Sequence, residues 1–94
     1  MKKQAGAWKK SCLQVMDRYK LTSREREVFL LLAKGRNAAV IEKKLTVSPS
    51  TVKSHIYNIY KKMHISSQQE LIDMIEADVQ QALKTPQSPN VRIS

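Results

Sequence analysis

From Lys43 to Gln69 the chain carries five lysines, a spread of Ser, Thr, Asn and His side chains, and no Asp or Glu. Such a run offers donors and positive charge with nothing inside it to neutralise them. Its natural counterpart is a polyanion, whose phosphates accept from Lys and hydroxyl groups and whose guanine O6 and N7 edges accept from Lys. Other chemistries fit worse. His55 and His64 lie nine residues apart on different helical faces, with no Cys or carboxylate at ligand spacing, so no metal site is expected. Cys12 is the single cysteine, which excludes an internal disulfide. It falls on an apolar helical face without a His or Asp partner nearby in sequence, and reads as a buried structural thiol rather than a nucleophile. Glu25 and Glu27 suit a helix start better than acid–base catalysis. Two glycines are too few for a phosphate-cradling loop. The expectation is a protein with no catalytic residues, no cofactor and no small-molecule ligand.

The donors need a scaffold that aims them together. At about 100° per residue, Val52, Ile56, Ile59 and Met63 fall near 0°, 40°, 340° and 20°, which is one narrow apolar stripe. The opposite arc holds Ser50, Ser54, Tyr57 and Lys61, with Lys53 and Asn58 on its flanks. Thr51, His55 and Lys62 sit on the shoulder beyond Asn58. An ordinary solvated face mixes signs, with Glu and Lys four apart. This face has no acid. Short side chains near its N-terminal end suit a helix that enters a groove about 12 Å wide and reaches base edges.

The surrounding elements follow from periodicity and caps. Trp8, Cys12, Val15, Met16 and Tyr19 share one face of a helix over about Ala5 to Tyr19. Thr22-Ser23-Arg24-Glu25 fits a capping box, and the helix it opens carries Val28, Phe29, Leu31, Leu32 and Ala33 before stopping at Lys34-Gly35. Asn37 caps a short helix from Ala38 to about Lys44, with Val40, Ile41 and Leu45 inward. Thr46-Val47 makes a brief turn. Ser48 as N-cap and Pro49 at the first helical position open the next helix, which runs to about Met63. Ser66-Ser67 cap a last helix, with Ser67 and Glu70 as a second capping box and Leu71, Ile72, Ile75, Val79 and Ala82 or Leu83 as its stripe. The short helix, turn and longer helix are a helix-turn-helix.

Length and charge agree. Ninety-four residues make one small domain, and seventeen Lys and Arg against eight Asp and Glu leave a net charge of +9. The excess divides into +5 over residues 1–20, +6 over 21–65 and −2 over 66–94. The longest apolar run is Val28 to Ala33, far short of the roughly 20 residues of a membrane span, and no signal peptide is apparent. A reducing, cytoplasmic setting is the simplest expectation.

The stretch Leu21 to Leu71 resembles the LuxR-type (GerE-like) DNA-binding domain of bacterial transcription regulators. The residues that carry the likeness are Leu21-Thr22, Arg24-Glu25-Arg26-Glu27-Val28, Gly35, Val47-Ser48, Thr51-Val52-Lys53, His55, Asn58-Ile59-Tyr60 and Lys62-Met63. The resemblance implies an all-α fold, a four-helix helix-turn-helix domain here preceded by an additional N-terminal helix. It also implies binding to double-stranded DNA as a two-fold dimer, with Lys53 in the major groove and the last helix at the dimer contact. Three positions depart from the family pattern. Arg36-Asn37-Ala38-Ala39-Val40 keeps a cap but lacks the capping-box acid. Gln68 replaces a usual Arg, so a phosphate contact there is not carried over. Tyr57 stands where a basic residue is frequent.

These readings assign Lys53, Ser54 and Tyr57 to base edges. Ser48, Ser50, Thr51, His55, Asn58, Lys61 and Lys62 are assigned to phosphates, with Lys43 and Lys44 from the preceding helix. Ile72, Ile75 and Val79 are the expected dimer contact, since the acidic last helix is a poor DNA face. RNA polymerase is a further candidate partner. Residues 1–20 are expected as a linker or peripheral helix, 21–83 as the domain and 84–94 as a flexible tail. The chain reads either as a small stand-alone regulator or, the favoured reading, as the C-terminal piece of a larger one that could sit in the membrane with this domain cytoplasmic. Two competing readings are a sigma-factor-like promoter-binding module, against which Thr51-Val52-Lys53-Ser54-His55 argues, and a protein-interaction or membrane-surface helix bundle.

Overall fold

The computed structural model describes residues 2–84, with side chains placed for residues 6–81. The tail from Thr85 onward and the side chains of Ala82 and Leu83 lie outside the described residues. Five helices make up the described chain: α1 (Lys2–Arg18), α2 (Ser23–Ala33), α3 (Ala38–Leu45), α4 (Pro49–Met63) and α5 (Gln68–Lys84). The domain is all-α, with the additional N-terminal helix in place.

Local chemistry sets most boundaries. Thr22 Oγ1 accepts from the Glu25 amide at 3.2 Å, and Glu25 Oε1 accepts from the Thr22 amide at 2.9 Å, a complete capping box. At the other end of α2, Gly35 has φ +85° and donates to Leu32 O at 2.9 Å, while Arg36 donates to Leu31 O at 3.0 Å. This pair of bonds satisfies carbonyls the helix leaves open. Asn37 Oδ1 takes the Val40 amide at 3.0 Å and Ser48 Oγ the Thr51 amide at 3.3 Å. The start of α5 differs from expectation. Ser67 Oγ caps the Glu70 amide at 3.2 Å, but the Glu70 carboxylate reaches one residue further back, to the Ser66 amide at 3.4 Å and the Ser66 hydroxyl at 2.9 Å. Two adjacent serines give it a better-filled set of donors than one backbone N–H.

Three helices end on a left-handed residue that is not glycine: Lys20 (φ 52°), Thr46 (φ 55°) and His64 (φ 58°). For a β-branched side chain this is a strained region. Thr46 occupies it inside the helix-turn-helix, because Val47 must turn back to donate to Glu42 O at 3.2 Å. Replacing Thr46 with Gly removes a left-handed cost of about 1–2 kcal/mol and adds backbone entropy to the unfolded chain. The expected net gain is about 1 kcal/mol, read as a rise in melting temperature of roughly 4–8 °C. A lower melting temperature would show that the turn is held by the threonine itself.

The core gathers Val28, Phe29 and Leu32 of α2, Ile41 of α3, Val52, Ile59 and Met63 of α4, and Leu71 and Ile75 of α5. It also takes Cys12, Val15 and Met16 from α1, each at most 2% exposed. The first helix thus contributes side chains to the core. It packs chiefly on α5, while α4 lies against α2 and α3. Burial pushes the Cys12 thiol up to about 11, with Asp78 adding to the effect and Lys34 opposing it, so the thiolate is scarce at neutral pH.

Candidate nucleic-acid interface

The position of α4 decides which donors face outward. Val52, Ile59 and Met63 are fully enclosed and Ile56 is half-buried against the same core. With that stripe fixed, the opposite arc must be outside. Ser50, Lys53, Ser54, Tyr57, Asn58 and Lys61 are exposed, and Thr51 and His55 are half-buried on the shoulder. No carboxylate stands on the helix. Lys43 and Lys44 are exposed on the last turn of α3, which packs on α4 and carries them to the same helix pair.

At the N-terminus of α4, Ser48 Oγ lies 2.9 Å from Thr51 Oγ1 and 3.4 Å from Ser50 Oγ. The three hydroxyls form a small exposed cluster at the positive end of the helix, which suits an oxyanion. Further along, Tyr57 is 65% exposed, and the Lys61 ammonium sits 5.9 Å from its ring centroid. That cation–π contact holds the two side chains as one unit. It places an aromatic face and a charge side by side on the outer arc of the helix.

Two assigned residues are placed elsewhere. The Lys62 ammonium lies 2.7 Å from Glu25 Oε1 and 3.5 Å from Lys20 O. The Glu25 side chain is 6% exposed, so Lys62 is engaged inward and a phosphate contact from it would break this pair. Ile75 is 1% exposed and belongs to the monomer core. Ile72 and Val79 remain half-buried at its edge, where a partner could reach them.

Two structural residues were not visible from spacing alone. Glu25 shows in sequence as a cap, yet it also bridges α2 to α4. Burial by itself would raise its carboxyl, but the Lys62 ammonium and the Thr22 amide and hydroxyl outweigh this and hold it below the usual range. Gln68, in place of the family's Arg, donates from Nε2 to Leu32 O at 3.0 Å and to Arg36 O at 2.9 Å. Both amide hydrogens are spent on the turn that follows α2. The departure from the family pattern marks the position, but nothing local to it tells where the amide goes.

Among the described residues no cluster of His, Cys, Asp or Glu could hold a metal ion, and no helix is long and apolar enough to cross a membrane.

The profile of the bacterial regulatory proteins, luxR family (GerE), matches residues 19–75, more than half of the chain. The chain is similar to Transcriptional activator protein ExaE of Pseudomonas putida, 43% identical over 58 residues, which is 61% of this chain and 27% of that protein. It is 44% identical over 46 residues to Probable transcriptional regulatory protein NarL of Mycobacterium tuberculosis, covering 49% of this chain and 21% of that one. To the Monoamine regulon transcriptional regulator of Klebsiella aerogenes it is 35% identical over 65 residues, 67% of this chain and 29% of that protein. The chain thus spans less than a third of the length of each of these relatives. No solved structure matches it.

Proposed function

The chain belongs to the luxR family of bacterial regulatory proteins, and from that membership and the acid-free outer face of α4 we propose that it binds double-stranded DNA sequence-specifically and regulates transcription. The helix α4 enters the major groove. Lys53, Ser54 and Tyr57 meet base edges, Lys53 at guanine O6 and N7 and Tyr57 through stacking or a thymine methyl contact. Ser48, Ser50, Thr51, His55, Asn58 and Lys61 fix the helix on phosphates, with Lys43 and Lys44 touching the backbone from α3. The outward face of α4 carries this reading. A bundle with a merely basic surface has no reason to keep one helix free of acids while placing carboxylates on α2, α3 and α5.

The bound form is a homodimer, with half-sites related by a two-fold axis and the half-buried Ile72 and Val79 of α5 at the contact. RNA polymerase is a candidate partner on the acidic side, and the setting is the cytoplasm, where the DNA is. Neither catalysis nor a cofactor enters.

Selection of bound duplexes from a random pool tests the reading. The expected product is an inverted repeat with half-sites about one helical turn apart, roughly 10 base pairs. A pool that stays unenriched would overturn sequence-specific binding. Enrichment of a lone, asymmetric site would overturn the dimer and leave the readout standing.

A further inference from the structure

The joints between the helices differ in how completely their polar groups are satisfied. Between α2 and α4 the enclosed Glu25 carboxylate meets Lys62 at 2.7 Å, and at the end of α2 the Gln68 amide of α5 donates both hydrogens to carbonyls. The joint of α1 with α5 is less complete. Ser11 of α1 is 1% exposed and its hydroxyl has no hydrogen-bond partner, and Asp78 Oδ2 of α5 is enclosed without one. Asp78 faces α1, since its Oδ1 lies 3.5 Å from Arg18 and its charge helps to raise the Cys12 thiol. Enclosed polar atoms without partners oppose the packing that encloses them. The contact is also narrow. One open cleft of about 660 Å³ is lined by Trp8, Asp73, Glu76 and Ala77, and another of about 350 Å³ by Arg18, Met74, Ala77 and Asp78. At about 100° per residue, Asp73 and Glu76 fall on one side of Ala77 and Met74 and Asp78 on the other, so the clefts flank a ridge at Ala77.

We propose that α1 is a strap that swings off α5 as a unit about the turn at Lys20, while α2 to α5 stay folded. It thereby alternately covers and exposes the side of α5 that bears Ala77 and Asp78. Burial of Cys12, Val15 and Met16 closes the strap, and the partnerless Ser11 and Asp78 atoms work against closure. The ion pairs that tie α1 down among the described residues are open to solvent. Arg18, which meets Asp78, is 53% exposed, and Asp17, which meets Arg26, is 70% exposed. Exposed pairs of this kind contribute little. The pivot is a defined one: Lys20 has φ 52° and Leu21 donates back to Met16 O at 3.1 Å. The luxR family profile begins at residue 19, at this same turn, so the fold common to the family is drawn from α2 onward. Because α4 packs on α2 and α3, its outer face keeps its place when α1 moves. The open form presents apolar surface on α1 and α5 that the closed form hides.

Cys12 is the single cysteine and is 0% exposed, so its labelling by a methanethiosulfonate reagent reports the movement directly. Where opening and reclosing outpace labelling, the rate gives the opening constant. In the full chain this constant is expected to exceed the global unfolding constant, taken from a urea titration in the same buffer, by about tenfold or more. Ile41→Val separates the two movements. Ile41 is enclosed on α3, which packs on α4, and its shortening is expected to raise the global unfolding constant roughly 2- to 12-fold. The labelling rate of Cys12 is expected to stay unchanged, because that substitution lies in the part that remains folded. Ser11→Ala removes a partnerless hydroxyl from the closed form, and is expected to slow labelling by about fivefold or more. A labelling constant equal to that of global unfolding, and raised in proportion by Ile41→Val, would overturn the strap and leave α1 inseparable from the domain. A Ser11→Ala variant that labels as fast as wild type would overturn it as well, since the joint would not be loosened by its polar atoms.

Discussion

Glu25→Leu is expected to lower the melting temperature at pH 7 by roughly 8–16 °C, a loss of about 2 kcal/mol. The substitution removes two things at once. The Thr22 amide loses its acceptor in the capping box, and Lys62 loses the carboxylate 2.7 Å away. Breaking a fully buried pair costs about 3–5 kcal/mol, but Lys62 is 37% exposed and can turn to water, which reduces the figure. Lys62→Met is also expected to destabilise, since it strands a carboxylate that is 6% exposed. The double variant is expected to lose less than the sum of the two singles, by about 1 kcal/mol or more. Strict additivity would show that the pair contributes nothing beyond its separate parts.

The same pair predicts a dependence on pH. The Glu25 carboxyl is held below its ordinary value in the folded protein, so in acid the unfolded chain binds the proton first. Its contribution is complete above the unfolded value, about 4.3, and is lost as pH falls through the lower folded value. Wild type is therefore expected to lose stability more steeply than Glu25→Leu between about pH 5 and pH 3, and the two curves should converge. Parallel curves would mean that the carboxyl titrates alike in both states. Because the pair joins the start of α2 to the last turn of α4, its loss is also expected to loosen the pitch of the helix that carries Lys53.

Lys53→Ala is expected to weaken binding to the selected duplex by about 1–3 kcal/mol, roughly 5- to 150-fold, with a smaller loss on random DNA. The helix stripe formed by Val52, Ile59 and Met63 points away from Lys53, so the substitution leaves packing untouched. A charge at a base edge contributes to both affinity and discrimination, whereas a charge at a phosphate contributes to affinity alone. Lys61→Ala should behave in the second way, reducing the salt dependence by about 0.9 in the log–log slope while its loss is nearly the same on any sequence. Its contact with the Tyr57 ring adds a control, since Tyr57→Phe keeps the ring face and should preserve the Lys61 effect. Equal losses on selected and random duplex for Lys53→Ala would move Lys53 from readout to the backbone.

Helix existence and most helix ends were legible from the chain, because each is a local matter. Thr22 with Glu25, Asn37 with Val40, and Ser48 before Pro49 act within three or four residues, and the caps form as their spacing requires. The outward face of α4 was legible for a similar reason. Its apolar stripe has to be buried, and burying it leaves only one arc for Lys53, Ser54 and Tyr57. Long-range partners were another matter. Lys62 and Lys61 are adjacent and chemically alike, yet one is exposed on the outer face and the other reaches Glu25, thirty-seven positions away.

What the sequence by itself determined is a set of amphipathic helices, a helix-turn-helix and a basic face without acids, since periodicity, caps and charge need only neighbouring residues to express themselves. The tertiary structure decided which equivalent side chains are spent on the fold. It drew α1 into the core through Cys12, Val15 and Met16, enclosed Ile75, and turned Lys62 and Gln68 inward. The physical reason is that an ion pair or a buried contact depends on two surfaces meeting, and that meeting is settled only when the helices pack.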